Sequence, residues 1–90
     1  MIHSMHITAD NRPAMLERIL QTARVRGFHI RGLEVHATES RDQFRITLTV
    51  ESEKPDQRLI RQLEKITGLT TLTALHAIES EQPDQVRATA

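Results

Sequence analysis

The chain has 90 residues, and its twelve basic and twelve acidic side chains leave no formal net charge, which argues against nucleic acid or an anionic membrane surface as a partner. This length predicts a single domain with a small core, and the absence of cysteine excludes disulfides and thiolate metal sites. Because there is no signal peptide and no apolar run of the roughly 20 residues that span a membrane, we expect a cytoplasmic protein.

The first predicted element is a half-buried strand over residues 2–9, where apolar and polar side chains alternate. A helix follows from Pro13, which suits a first helical turn, to Arg26, just before Gly27. Its apolar residues recur at helical spacing and form one stripe, namely Leu16, Ile19, Leu20 and Ala23. Its charged residues are expected on the solvated side, namely Glu17, Arg18, Arg24 and Arg26.

The next strand, which begins at Phe28, contains a break in its alternation. Apolar residues have one parity up to Ile30 and the other from Leu33 onward, which predicts a bulge at Arg31–Gly32. After a turn at residues 39–43, residues 44–51 alternate throughout and predict a third strand. A second helix opens at Pro55 and ends at Gly68, with a buried stripe of Leu59, Ile60, Leu63 and Ile66. Residues 69–78 predict a fourth strand.

The order β-α-β-β-α-β predicts an α+β, ferredoxin-like fold, with two helices on one face of a four-stranded antiparallel sheet. We expect one domain over residues 1–79 and a mobile C-terminal tail over residues 80–90, where apolar residues are scarce. The other face of the sheet should be polar and open to solvent, and its predicted residues are Ser4, His6, Thr8, Arg45, Thr47 and Thr49.

The sequence contains no recognisable catalytic set. Its three glycines are isolated, so there is no phosphate-binding loop, and no serine lies in a nucleophile-elbow context. The open face lacks the aromatic side chains that stack RNA bases. His6 and His76 would be neighbours if their strands pair, but the sequence supplies no third metal ligand. We therefore expect no metal site and five solvated histidines, at positions 3, 6, 29, 36 and 76.

The start of the first helix is the candidate ligand site. Helix N-termini have unpaired amides and a partial positive charge, so the amides of Ala14, Met15 and Leu16 are suited to a carboxylate. Alternatively, the side chain of Asp10 or Asn11 would accept hydrogen bonds from these amides and act as an ordinary helix cap. The residues alone leave both interpretations open.

Two linked segments carry a resemblance to a known family. "NRPAMLERIL" resembles the pattern N-x-P-G-x-L-x-R-hydrophobic that opens the first helix of ACT domains. "RGFHIRGLEV" resembles the R-G-F-N-I-x-x-L-x-V segment of the small, regulatory subunits of acetolactate synthase (acetohydroxyacid synthase). The likeness extends over about residues 3–78 and is to the short, isozyme II-like form, a lone ACT domain without the second domain of longer members.

This resemblance implies a subunit without catalytic or cofactor-binding residues of its own. It would bind and activate a large subunit that uses thiamine diphosphate, magnesium and FAD in the synthesis of valine, leucine and isoleucine. The resemblance also implies a homodimer. One alternative is a free-standing ACT-domain amino-acid sensor that acts on another protein. A ferredoxin-like enzyme of the acylphosphatase kind is a weaker alternative, because the phosphate-cradling loop is missing.

The resemblance further implies where an effector binds. Feedback inhibitors of the longer relatives lie at a dimer interface, between the first loop and the start of the second strand, and the matching positions here are Asn11, Ala14, Met15, His29 and Ile30. Two of these depart from the family pattern, since Ala14 replaces a glycine and His29 replaces an asparagine. A methyl group at the first position restricts close approach of a ligand to the backbone, and histidine presents its donor and acceptor in a different geometry. We therefore expect valine to bind weakly or not at all.

Overall fold

The computed structural model describes residues 1–75, in which six elements follow the order β-α-β-β-α-β. They are β1 (Ile2–Asp10), α1 (Met15–Val25), β2 (His29–Ala37), β3 (Gln43–Glu51), α2 (Gln57–Glu64) and β4 (Leu69–Ala74). The predicted ferredoxin-like α+β fold is confirmed. Residues 76–78 of the predicted fourth strand, the domain boundary at 79 and the predicted tail lie outside the described residues. Neither helix is long and apolar enough to cross a membrane.

The sheet has the strand order β2-β3-β1-β4, and every neighbouring pair is antiparallel. In the central pair, Met5 lies opposite Leu48 and Ile7 opposite Ile46, so their side chains project to the same face. Both helices cover that face and enclose an aliphatic core. The two long edges of the sheet are therefore formed by β2 and β4.

The predicted bulge in β2 is confirmed. Ile30 pairs with Val50 and Gly32 pairs with the next residue of β3, Thr49, so Arg31 is an extra residue without a partner in the ladder. This insertion keeps the apolar residues on both sides of the bulge facing the helices. The exposed side chain of Arg31 forms an ion pair with Glu51.

The core follows the predicted stripes with one addition. Ile19, Ala23, Leu59 and Leu63 are buried as predicted, whereas four other stripe residues are only partly buried, namely Leu16, Leu20, Ile60 and Ile66. The addition is Met15, which is 3% exposed. Its side chain packs against Gly68, where a β-carbon would lie 2.8 Å from the Met15 Cε atom.

Both helices begin two residues later than their prolines suggested. Ala14, directly before α1, has a φ of 70°, in the left-handed region, so the helix cannot include it. Asp56 directly precedes α2, and Pro55 lies outside that helix. The prolines therefore lie in the turns that lead into the helices.

The predicted polar face is confirmed by the register, but not all of it is open to solvent. Ser4 is only 7% exposed and shares a hydrogen bond of 3.2 Å with Thr49 directly across the ladder. His6 is exposed and is hydrogen-bonded to Thr47, with 3.2 Å between Nδ1 and Oγ1. Small hydroxyl residues on adjacent strands thus shield one another from water.

The prediction of five solvated histidines is wrong for His3. This residue shares the parity of Met5, faces the core and is 4% exposed. Its ring lies edge-on to Phe28, at 6.1 Å between centroids, and its Nδ1 atom is 3.5 Å from Oδ2 of Asp56. The other described histidines, His6, His29 and His36, are exposed as predicted; His76 lies outside the described residues.

Candidate effector site

The loop between β1 and α1 is attached to the turn between β2 and β3. The Asn11 amide donates to the Asp42 carbonyl at 3.0 Å, and its side-chain Nδ2 donates to the Arg41 carbonyl at 2.9 Å. On the other side, the Asp10 amide donates to the Gly68 carbonyl at 2.8 Å. The loop is therefore fixed by backbone contacts to two other segments of the chain.

The side-chain cap, one of the two interpretations of this helix start, is absent from α1 within the described residues. The side chain of Asn11 is engaged with Arg41, and the Asp10 carboxylate lies 3.5 Å from the guanidinium of Arg12. The Met15 amide, predicted to be free, donates to the Arg12 carbonyl at 3.1 Å. Within residues 1–75, the amides of Ala14 and Leu16 have no hydrogen-bond partner, so these two remain available to a ligand.

Ala14 occupies the position where the family pattern has glycine, and its conformation supplies the reason. A φ of 70° is readily adopted by glycine, whereas an alanine there costs about 1–2 kcal/mol because its Cβ crowds the backbone. The residue is exposed, so its methyl group points away from the core. The chain thus has a backbone conformation that suits the glycine of the pattern, with a methyl group added at this exposed position.

The other two candidates lie at the opposite end of α1. His29 is exposed and pairs with Glu51, while Ile30 is partly buried opposite Val50. Both line a groove of about 530 Å³ near the C-terminal end of α1. The eleven residues of α1 span about 16 Å at 1.5 Å per residue. Within one chain, Asn11, Ala14 and Met15 therefore lie at the opposite end of α1 from His29 and Ile30.

The β2–β3 turn, which holds Asn11, was predicted only as a turn. Ser40 Oγ donates to Asp42 Oδ1 at 2.5 Å, and this hydrogen bond lowers the pKa of the Asp42 carboxyl from its usual value. Arg41 is left-handed with a φ of 65°. No sequence signal indicates that this turn reaches Asn11, because the two segments lie 30 residues apart.

Residues 1–75 contain no cluster of three His, Asp or Glu side chains placed to hold a metal ion.

Residues 11–71 match the family model of the ACT domain. The acetolactate synthase isozyme 2 small subunit of Escherichia coli strain K12 is 31% identical over 98% of this chain and 99% of that protein. The chain belongs to the ACT-domain family of acetolactate synthase small subunits. The small subunit of Mycolicibacterium smegmatis is 29% identical to this ACT domain over 93% of the chain, which spans 47% of that longer protein.

The solved acetolactate synthase small subunit of Thermotoga maritima has the same fold as this ACT domain. The two superpose with a TM-score of 0.71 at 20% identity, over 82% of this chain and 47% of the other. At that identity the likeness establishes the fold alone.

Proposed function

We propose that this ACT domain is the non-catalytic regulatory subunit of an acetolactate synthase, which it binds and activates. The observation that carries the proposal is the match to the isozyme 2 small subunit of Escherichia coli along almost the full length of both chains, 98% and 99%. The catalytic subunit would hold the thiamine diphosphate, magnesium and FAD and would perform the reaction that leads to valine, leucine and isoleucine.

We also propose that any effector site is completed by a second copy of the chain. Asn11 and the open amides of Ala14 and Leu16 would come from one copy, and His29 with Ile30 from the other, since α1 holds these groups about 16 Å apart within one chain. The amides and the positive end of α1 favour the carboxylate of an amino acid. The Ala14 methyl group and the His29 ring make valine a poor ligand.

Reconstitution tests the main proposal. The chain is titrated into the separately purified catalytic subunit of its own host, and acetolactate formation is measured at saturating pyruvate. We expect turnover to rise and to saturate at a fixed ratio of subunits, while the chain alone forms no product. An unrelated ACT domain of the same fold is the control. Lack of stimulation in a complex shown to form, or turnover by the isolated chain, would contradict the proposal.

A further inference from the structure

A cleft lined by basic residues runs between the two helices. One part, of about 480 Å³, lies between the end of α1 and the start of α2, and the adjoining part, of about 330 Å³, continues along the helices. Val25 and Arg26 line both parts, so they form one elongated surface. We call this surface the helix cleft; its basic residues are Arg18, Arg26, Lys54 and Arg58.

The four cations of the helix cleft are not in direct contact with a carboxylate in the described part of the chain. No acidic side chain is among the residues that line either part, and none of the four cations joins a salt bridge within residues 1–75. Lys54 Nζ instead donates a hydrogen bond of 3.4 Å to the backbone carbonyl of Arg26, which places this ammonium at the end of α1. Such a concentration of positive charge in a chain of zero net charge attracts an acidic partner.

The start of α2 adds to this positive surface because its capping residue faces elsewhere. Asp56 is a residue type that caps helices well, yet its carboxylate makes no cap and lies 3.5 Å from the buried His3. Within residues 1–75 the amides of Gln57, Arg58 and Leu59 have no partner. Two of these amides, those of Gln57 and Arg58, belong to residues that line the cleft together with Lys54.

The helix cleft also offers an apolar contact. Val25 is 71% exposed, which is high for a valine at the end of an amphipathic helix. Pro55 is exposed beside it, and the buried ring of Phe28 forms the floor. An elongated surface with cations along it and an apolar centre suits a polypeptide segment better than a small ion, because a segment places several carboxylates and one apolar side chain along its length.

We propose that the helix cleft is the docking surface for an acidic segment of the catalytic subunit. Carboxylates of that segment contact Arg26, Lys54 and Arg58, and an apolar side chain covers Val25. This inference rests on the proposed function, since it names the surface through which the regulatory subunit meets its partner. The helix cleft lies at the opposite end of α1 from the candidate effector residues Asn11 and Ala14, and it shares Phe28 with the groove of His29 and Ile30.

A pair of charge reversals tests the proposal. Arg26→Glu with Arg58→Glu alters the helix cleft, and Arg45→Glu with Arg61→Glu makes the same change in net charge on exposed sites outside it. Binding of each chain to the catalytic subunit is measured by calorimetry at two salt concentrations. We expect the cleft variant to raise Kd at least about tenfold and to lose most of the salt dependence, while the control stays within about twofold.

The two lysines of the chain supply a second readout. A carbodiimide joins an amine to a carboxylate in direct contact, with loss of water, and leaves no spacer. In the complex we expect Lys54 to be joined to an aspartate or glutamate of the catalytic subunit, and Lys65, at the other end of α2, to serve as the internal control.

Circular dichroism checks that the charge-reversal variants are folded. If the cleft reversal does not fold, Arg26→Gln with Arg58→Gln replaces it.

Each outcome has one interpretation. If the unmodified chain does not bind the catalytic subunit, the proposed function fails and this inference with it. If it binds and the cleft variant binds equally well, only this inference is overturned. A loss of dimer in the cleft variant, seen by sedimentation, would assign the cleft to a second copy. A Lys54 crosslink to Glu79, Glu81 or Asp84 within the isolated chain would assign it to the C-terminal residues instead.

Discussion

Replacing Ala14 by glycine should stabilise the protein, although glycine usually destabilises. Ala14 has a φ of 70° directly before α1 and is exposed, so the substitution removes steric strain and no core contact. The strain is about 1–2 kcal/mol for an alanine in this region. Glycine also has more conformational freedom than alanine in the unfolded chain, which lowers the free energy of unfolding by about 0.4–1 kcal/mol.

The difference leaves a net gain of between about 0 and 1.6 kcal/mol in the free energy of unfolding, with a midpoint of about 0.8 kcal/mol. For a domain of this size the midpoint corresponds to a rise in Tm of about 3–6 °C. Urea denaturation followed by circular dichroism measures the first quantity, and thermal scanning measures the second. The slope of the urea transition should be unchanged, because the surface exposed on unfolding is the same.

Ala37→Gly is the matched control. Ala37 is also exposed, but it lies in β2 opposite Phe44 and has no positive φ. The same chemical change there should lower stability by about 0.5–1 kcal/mol. If Ala14→Gly lowers stability as much as Ala37→Gly does, the left-handed conformation of Ala14 is not strained and the reasoning fails.

Three further predictions use other parts of the structure. The isolated chain should sediment as a homodimer at tens of micromolar, a range that suits a weak interface, and a species of 10.3 kDa alone would contradict this. Valine should bind weakly or not at all, and Ala14→Gly with His29→Asn should improve its affinity, measured by calorimetry, by about one to two decades. Micromolar binding by the unmodified chain, or no gain in the double variant, would refute the role assigned to these side chains. The hydrogen bond from Ser40 lowers the pKa of the Asp42 carboxyl in the folded state, so the ionised carboxylate stabilises the fold above its unfolded pKa. This stability is lost as the pH falls through the lowered folded pKa. Ser40→Ala should therefore weaken the acid dependence of unfolding and lower the free energy of unfolding at pH 7. An unchanged acid limb in that variant would show that another carboxyl controls it.

The features of the fold that rest on residue patterns were predictable. The parity change around Arg31 located the bulge in β2, because one extra residue is the only way to keep Ile30 and Leu33 on the same face. The helices were located by their apolar spacing. Their first residues were not, since proline is as acceptable in the turn before a helix as in its first turn. The left-handed conformation of Ala14 could not be predicted either, because alanine as a residue type gives no indication of it.

The local position of the candidate residues was predictable only in part, and their geometry was not. The motif placed Ala14 in the first turn of a helix and His29 near the start of a strand; Ala14 instead lies in the loop before α1, and His29 is the first residue of β2. The hydrogen bond from Asn11 to Arg41 joins segments distant in sequence, so local patterns contain no trace of it. The burial of His3 follows from the parity of β1, which outweighs the usual preference of histidine for solvent when an aromatic ring and a carboxylate lie beside it.

The bulge in β2 also determines where this strand can change in length. Deleting Arg31 would let Gly32 follow Ile30 directly, and every later residue would keep its present partner in β3. Deleting Glu34 instead would turn Val35 toward the solvent and His36 toward the helices. The ion pair of Arg31 with Glu51 is exposed and adds little to stability. Arg31 is thus a dispensable spacer, and β2 can lose a residue there without exchanging its two faces.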